Sequence, residues 1–191
     1  MNLYSKLSAR AANNNPLRVA IIGAGKFASM YLAQVHKTPG VHVAAIADLN
    51  PENVFSNLNR VGWSRAQYEA ASVDDAIRTG GTWVTEDWGK VIADPRIDIV
   101  IEATGNPPAA VEHILRSFEQ GKHVVNVTVE ADALCGPYLA RYARENNVIY
   151  SLAYGDQPAL ICDLVDWARA SGFRVVSAGR GHKWLPHFAQ S

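Results

Sequence analysis

Only two cysteines, Cys135 and Cys162, occur in the 191 residues. They form no Cys-x-x-Cys, so neither a disulfide framework nor a zinc or redox motif is available. They read as buried free thiols of a reducing compartment. The six histidines include no His-x-x-x-His or Glu-x-x-His pair, so no metal site is expected. No apolar run reaches the roughly 18 residues needed to span a bilayer. The N-terminus lacks the apolar core of a signal peptide. The expectation is therefore a cytoplasmic protein with no membrane partner. Lysine plus arginine (18) cancels aspartate plus glutamate (18), with no basic block or acidic tail. Nothing in that balance points to nucleic acid. Internal repeats and low-complexity segments are missing too. What remains is 48% hydrophobic and 19% charged residues, the composition of an ordinary globular chain long enough for a sizeable core.

Against that background one stretch stands out. Val19-Ala20-Ile21-Ile22 is a buried-strand run that leads straight into Gly23-Ala24-Gly25-Lys26-Phe27-Ala28, a Gly-x-Gly-x-x-Ala. Phe27, Met30, Tyr31, Leu32 and Val35 follow at helical spacing. Strand, glycine turn and helix in that order make a dinucleotide-binding unit. Gly23 serves the tight turn, Gly25 lets backbone approach a pyrophosphate, and Ala28 lets the helix close on the strand. Lys26 and Phe27 open the helix, where free N–H groups favour an anion. Asp48 lies 20 residues past Ala28, at the end of a second apolar run. It is placed to accept hydrogen bonds from an adenosine ribose. Leu49 and Asn50 follow it, not a cation, so local chemistry favours NAD(H). Lys26 or Arg60 reaching a 2′-phosphate would favour NADP(H).

The rest of the chain alternates. A polar helical segment, residues 1–16, is closed by Asn13-Asn14-Asn15-Pro16. Strands are expected at 18–22, 41–47, 83–85, 97–103, 122–127, 148–152 and 173–178. Helices are expected at 26–36, from Asn50-Pro51-Glu52 onward, and at 72–78. Four more are expected at 85–92, with Thr85 as cap, and at 109–119, 131–146 and 158–171. Residues 61–81 read as an insertion before the third strand. The helix at 109–119 presents Val111, Ile114, Leu115 and Phe118 on one face, and His113 and His123 are expected at surfaces. This alternation predicts an α/β fold, a doubly wound, mostly parallel sheet with right-handed crossovers. A Rossmann domain over 17–178 and an exit segment at 179–191 follow from it.

In such a sheet ligands bind beyond the carboxyl ends of the strands. Ala103-Thr104-Gly105 offers backbone for the nicotinamide ribose and pyrophosphate, and Thr104 a hydroxyl. Glu102 is either an outward-pointing acid or a strand-end cap. Glu130 and Asp132 either orient a substrate, share a metal, or serve a helix first turn. Asp156, in Tyr-Gly-Asp-Gln-Pro, is a catalytic acid or an N-cap. Lys183 either polarises a carbonyl, binds a phosphate, or is solvated surface. Glu130, Asp156 and Lys183 are the catalytic candidates.

Four stretches together resemble a known family. They are Ile21 through Phe27, Ile101-Glu102-Ala103-Thr104-Gly105-Asn106-Pro107, Val129-Glu130-Ala131-Asp132-Ala133-Leu134, and Ala153-Tyr154-Gly155-Asp156-Gln157-Pro158-Ala159. They are similar to the homoserine dehydrogenase-like oxidoreductases whose long members carry a C-terminal SAF domain. That group includes deoxyxylulose 5-phosphate reductoisomerase-like enzymes. The resemblance implies an N-terminal NAD(P)-binding domain followed by a catalytic and oligomerisation region. With it come a phosphorylated sugar or small aldehyde as substrate and a homo-oligomer as assembly. For the reductoisomerase-like members it implies NADPH-dependent formation of methylerythritol 4-phosphate, an isoprenoid precursor step, and so leans the cofactor to NADPH. Homoserine dehydrogenases proper carry Asn-Lys after the fifth strand, where this chain has Val129-Glu130. Family chains run well past residue 191, so a truncated product that binds cofactor without turnover is expected, its catalytic domain missing. Two alternatives stand beside it: another sugar or aldehyde oxidoreductase, and a non-catalytic dinucleotide-binding module.

Overall fold

Strands β1 (Leu17–Ile22), β2 (Val41–Ala47), β3 (Trp83–Thr85), β4 (Ile99–Glu102), β5 (His123–Asn126) and β6 (Tyr150–Leu152) form one sheet in the computed structural model. Their order is β3-β2-β1-β4-β5-β6. The pairs β1–β2, β2–β3, β1–β4 and β4–β5 are all parallel. The helices are α1 (Leu3–Ala12), α2 (Lys26–Val35), α3 (Pro51–Arg60), α4 (Val73–Thr79), α5 (Trp88–Ala93), α6 (Pro107–Glu119), α7 (Val129–Glu145) and α8 (Gln157–Ala170). This is the expected doubly wound parallel sheet of the Rossmann type. The structure describes residues 2–155 and 157–179. Asp156 and Lys183, with the rest of 180–191, lie outside the described residues. The chain divides into two compact units, Met1–Ser151 and Leu152–Ser191.

The core follows from the sequence pattern of β1. Successive side chains point to opposite faces, and both faces are covered, so the run is apolar throughout. Ala20 and Ile22 join Val91, Ile92, Ile114, Phe118 and Leu139 on one face. Val19 and Ile21 join Ala28, Leu32, Val54 and Leu58 on the other. Ala28 is buried against β1, which is the close helix–strand packing its small side chain permits.

Helix starts are set by side-chain caps. Asn50 accepts from the Asn53 N–H, Ser72 from Asp75 and Asn106 from Ala109. Pro51 and Pro107 occupy first turns, where their missing N–H costs nothing. Two of the helix starts that differ from the sequence reading are explained by caps. The cap of α5 is Asp87, which accepts from the Lys90 N–H. Thr85 instead accepts from the Asp87 N–H at 3.1 Å. Helix α6 starts at Pro107 because Asn106 already caps there.

No strand forms at residues 173–179. The first N–H of that segment is consumed by the end of α8. Gly172 has φ +84°, its N–H donates to Arg169 O, and the Phe173 N–H donates to Ala168 O at 2.9 Å. The Phe173 ring lies 6.4 Å from that of Trp167. This is a Schellman closure with its hydrophobic contact. β-Branched composition alone does not make a strand, and among the described residues this segment pairs with none. The cysteines differ as well: Cys162 is exposed and Cys135 half-buried.

Candidate functional site

A cavity of about 440 Å³ opens at the carboxyl ends of β1, β2 and β4. It lies where the strand order reverses, between β1 and β4, the topological switch point at which open sheets bind ligands. Its volume falls within the range of small-molecule sites, about 300–1,000 Å³.

The glycine turn forms its base. Gly23 has φ +91°, and a Cβ there would sit 2.7 Å from backbone atoms of Ala103 and Thr104. The β1 and β4 loops thus touch backbone to backbone, which only glycine permits. The Gly23 N–H donates to Ala47 O at 2.8 Å, and the Ala103 N–H to Ile22 O at 2.8 Å. Gly25 is different. A Cβ there would meet nothing within 4 Å. It caps α2 without a side-chain hydrogen bond. The N–H groups of Gly25, Lys26 and Phe27 have no acceptor among the described residues. Free donors at a helix start, with open space before them, suit an anionic group.

Asp48 braces this loop. Its Oδ2 accepts the Ala24 N–H at 2.7 Å and its Oδ1 accepts the Asn50 N–H at 2.9 Å. A carboxylate has about four acceptor positions, so two remain for hydroxyl donors. From α3, Asn57 Nδ2 donates to Ala24 O at 2.9 Å. The loop is held on three sides before any ligand arrives.

The β4 end is tied down by Glu102, which is fully buried. Its Oε1 accepts the Thr104 hydroxyl at 2.6 Å, and its Oε2 accepts the Thr128 hydroxyl. Thr128 Oγ1 in turn accepts the Gly105 N–H at 3.0 Å, and His113 Nδ1 lies 3.4 Å from Glu102 Oε1. Glu102 is therefore the strand-end cap, fixing the loops after β4 and β5 to each other. Thr104 also accepts the Asn106 N–H at 3.2 Å. Its hydroxyl proton is engaged inward with Glu102.

Of the sequence candidates, Gly23, Gly25, Asp48, Ala103 and Thr104 come together on the cavity wall. Lys26 is exposed on the first turn of α2, Phe27 is half-buried beside it, and Gly105 is exposed with φ +69°. Glu130 is exposed on the first turn of α7 and does not line the cavity. Its neighbour Asp132 accepts the Tyr150 hydroxyl at 2.9 Å. Burial pushes that phenol above its usual range and keeps it protonated.

Sequence reasoning placed Asn106 at the ligand-binding edge and missed Glu86, Trp88, Glu112 and His113 in the wall. His113 is 6% exposed, not at a surface, and its ring meets Trp88 edge-on at 4.6 Å. The signal was present: Ala110, His113, Ile114, Ser117 and Phe118 are the buried face of α6. Their three-and-four spacing includes the histidine once the stripe is rotated by one residue.

Residues 17–126 match the oxidoreductase family with an NAD-binding Rossmann fold. The chain belongs to this family. Residues 155–191 match the catalytic domain of oxidoreductase DRL. Homoserine dehydrogenase of Pseudomonas aeruginosa is 31% identical over 134 residues, covering 70% of this chain and 28% of that protein. The Methylobacillus glycogenes homoserine dehydrogenase is 28% identical over 111 residues, 58% of this chain and 24% of that protein. This oxidoreductase chain thus spans about a quarter of the length of these curated relatives. A homoserine dehydrogenase structure from Thiobacillus denitrificans shares the fold at 20% identity. Its TM-score is 0.61, over 81% of this chain and 34% of that one. Membership implies a nicotinamide dinucleotide as cofactor, and the uncapped, sterically open start of α2 fits its pyrophosphate. No helix among the described residues is long and apolar enough to cross a membrane.

Proposed function

We propose that this chain supplies the dinucleotide-binding part of a homoserine dehydrogenase-like oxidoreductase. The substrate class is a phosphorylated sugar or small aldehyde. The free N–H groups of Gly25, Lys26 and Phe27 receive the pyrophosphate. Gly23 and Ala28 set the turn and helix that present them. Asp48 takes the adenosine ribose, and the backbone of Ala103-Thr104-Gly105 supports the nicotinamide ribose. The bound dinucleotide supplies or accepts the hydride at a carbonyl carbon, with a proton delivered to or taken from its oxygen. Glu130, Asp156 and Lys183 are the candidates to polarise or protonate that oxygen.

The reductoisomerase-like reading, deoxyxylulose 5-phosphate to methylerythritol 4-phosphate in isoprenoid precursor synthesis, is the favoured specific activity of the whole protein. The sequence resemblance favours it, with Val129-Glu130 standing where homoserine dehydrogenases carry Asn-Lys; the match of 155–191 to the catalytic domain of oxidoreductase DRL supports an oxidoreductase and names no substrate. The cofactor is NAD(H) or NADP(H), the resemblance favouring NADPH. A homo-oligomer in the cytoplasm is the expected setting.

The observation that carries the dinucleotide reading is the uncapped, unobstructed start of α2 beside a cavity at the switch point. Calorimetric titration of the chain with NADH and NADPH tests it. At least one should bind with a Kd below about 100 μM, near −5.5 kcal/mol. Failure of both to bind below about 1 mM would refute it.

A further inference from the structure

The His113 side chain is buried in the cavity wall, and only one of its ring nitrogens is committed. Nδ1 lies 3.4 Å from Glu102 Oε1. Both Glu102 oxygens act as acceptors: Oε1 receives the Thr104 hydroxyl at 2.6 Å and the Thr104 N–H at 3.3 Å, and Oε2 receives the Thr128 hydroxyl. The bond to His113 therefore runs from the ring, Nδ1–H to carboxylate. A neutral ring with its proton on Nδ1 carries a bare lone pair on Nε2. That nitrogen is bonded to no group among the described residues, and it is not sealed inside the protein. Trp88, edge-on at 4.6 Å, packs against the same ring.

A largely desolvated acceptor selects a ligand that brings it a donor, because a ligand that does not leaves it unpaired. A dinucleotide has few donors to offer. Its pyrophosphate has none. Its adenosine ribose hydroxyls belong to Asp48 in the reading above, and its nicotinamide end to the backbone of Ala103-Thr104-Gly105. The exocyclic amino group of adenine is the donor left over at the adenosine end. Leu49, Trp88 and Ala109 line the same cavity and give a flat base apolar surface to lie against.

We propose that His113 reads the base of the dinucleotide, its Nε2 accepting from the adenine amino group, and that Glu102 is the positioning residue that fixes the tautomer. This rests on the dinucleotide reading of the cavity and is independent of any choice between NAD(H) and NADP(H). The consequence is discrimination against a base with a carbonyl oxygen in place of the amino group, where lone pair meets lone pair. Glu112, on α6 in the same wall, is the rival acceptor. It is exposed, so water competes for it.

Calorimetric titrations at about pH 8, where a histidine ring is ordinarily neutral, test this on the full chain, on His113→Phe and on Glu112→Gln. The probes are NADH and NADPH, each paired with its deamino analogue, in which hypoxanthine replaces adenine. In the unaltered chain the adenine dinucleotide should bind at least tenfold tighter than its analogue, about 1.4 kcal/mol. His113→Phe keeps a flat ring beside Trp88 but has no nitrogen, and should bring the pair within about threefold of each other. Glu112→Gln should leave the ratio unchanged. Nitrogen-15 NMR of the unaltered chain gives a second readout that needs no variant to fold. It should find the His113 proton on Nδ1, and the Nε2 signal should move more with the adenine dinucleotide than with the analogue. A ratio near one in the unaltered chain, or a ratio kept in a folded His113→Phe, overturns base reading by His113 while leaving the dinucleotide site intact. Loss of the ratio in Glu112→Gln also overturns it, in favour of the rival acceptor. A proton found on Nε2 overturns the role of Glu102. Binding of no dinucleotide overturns the cavity assignment and this proposal with it.

Discussion

Gly23 and Gly25 stand two residues apart in one motif, yet the structure gives them separable jobs. Adding a methyl group at Gly23 requires an L-residue at φ +91° and places its Cβ 2.7 Å from backbone of Ala103 and Thr104. The left-handed backbone costs about 1–2 kcal/mol. The overlap falls on main chain that cannot rotate away, at about 1–3 kcal/mol. Gly23→Ala should therefore destabilise the fold by roughly 2–5 kcal/mol, a large share of the ~5–15 kcal/mol a domain possesses. For a chain of this size that is a fall in Tm of about 4–20 °C. Gly25 has φ −72° and nothing within 4 Å of an added Cβ. Gly25→Val should cost under about 1 kcal/mol of stability, the price of a poorer helix cap. It should still weaken dinucleotide binding at least tenfold, about 1.4 kcal/mol, because its branches fill the approach to the α2 N–H groups. The assays are thermal melts and calorimetric titrations on both variants. Equal stability losses would refute the steric reasoning. Unchanged affinity in Gly25→Val would remove the pyrophosphate from the start of α2.

Three further outcomes are expected. Trp88 is the one tryptophan in the cavity wall among the described residues, so dinucleotide binding should change tryptophan fluorescence and Trp88→Phe should remove most of the change; a full response in that variant would place the ligand elsewhere. Hydrogen bonds from Arg96 hold the Asp94 carboxyl below the usual carboxylate range. That contribution to stability is present above about pH 4 and is lost as pH falls through the lowered native value. Arg96→Ala should flatten the loss in acid denaturation, and an unchanged slope would count against the pair. Burial pushes the Tyr31 phenol from 10.0 up to about 12, so the stability it provides should be lost between about pH 10 and 12. Tyr31→Phe should reduce the alkaline loss of stability and the late-rising tyrosinate absorbance; no difference from the parent would show that this phenol titrates normally.

The α/β fold was legible because its signals are local and repeated. The β1 run, the glycine turn and the helix that follows are contiguous, and caps such as Asn50 and Asn106 announce helices one turn ahead. The candidate site was legible only where it is made of backbone. Gly23, Gly25, Asp48, Ala103 and Thr104 lie at strand ends, and strand ends are readable. Trp88, Glu112 and His113 reach the cavity from helices, and their side is fixed by helix rotation, which a one-residue error in the apolar stripe reverses. Glu102 shows a different limit. Its partners Thr104, Thr128 and His113 come from three elements, and no single spacing connects them. Residues 173–178 failed for a third reason: a strand is a property of two chains of hydrogen bonds, and composition reports only one.

The same bonds that make the site readable also explain how it is held ready. Binding a dinucleotide orders two ribose rings and a pyrophosphate, and every protein torsion frozen at that moment subtracts from affinity. Here the glycine turn is fixed beforehand, by Ala47 O on Gly23, Asp48 on Ala24 and Asn57 on Ala24 O. On the other side Glu102 ties the β4 loop to Thr128 at the start of α7. The donors left over, at Gly25, Lys26 and Phe27, are those that a helix cannot satisfy internally. Asp48 consequently has two duties. One pair of its acceptor positions holds the loop, and the other pair faces the cavity. Asp48→Asn separates them. It keeps an oxygen for the Ala24 N–H but gives up charge, so it should preserve most of the fold's stability while relaxing discrimination against a 2′-phosphate. Asp48→Ala removes both duties, and its loss of affinity should extend to NADH as well as to NADPH.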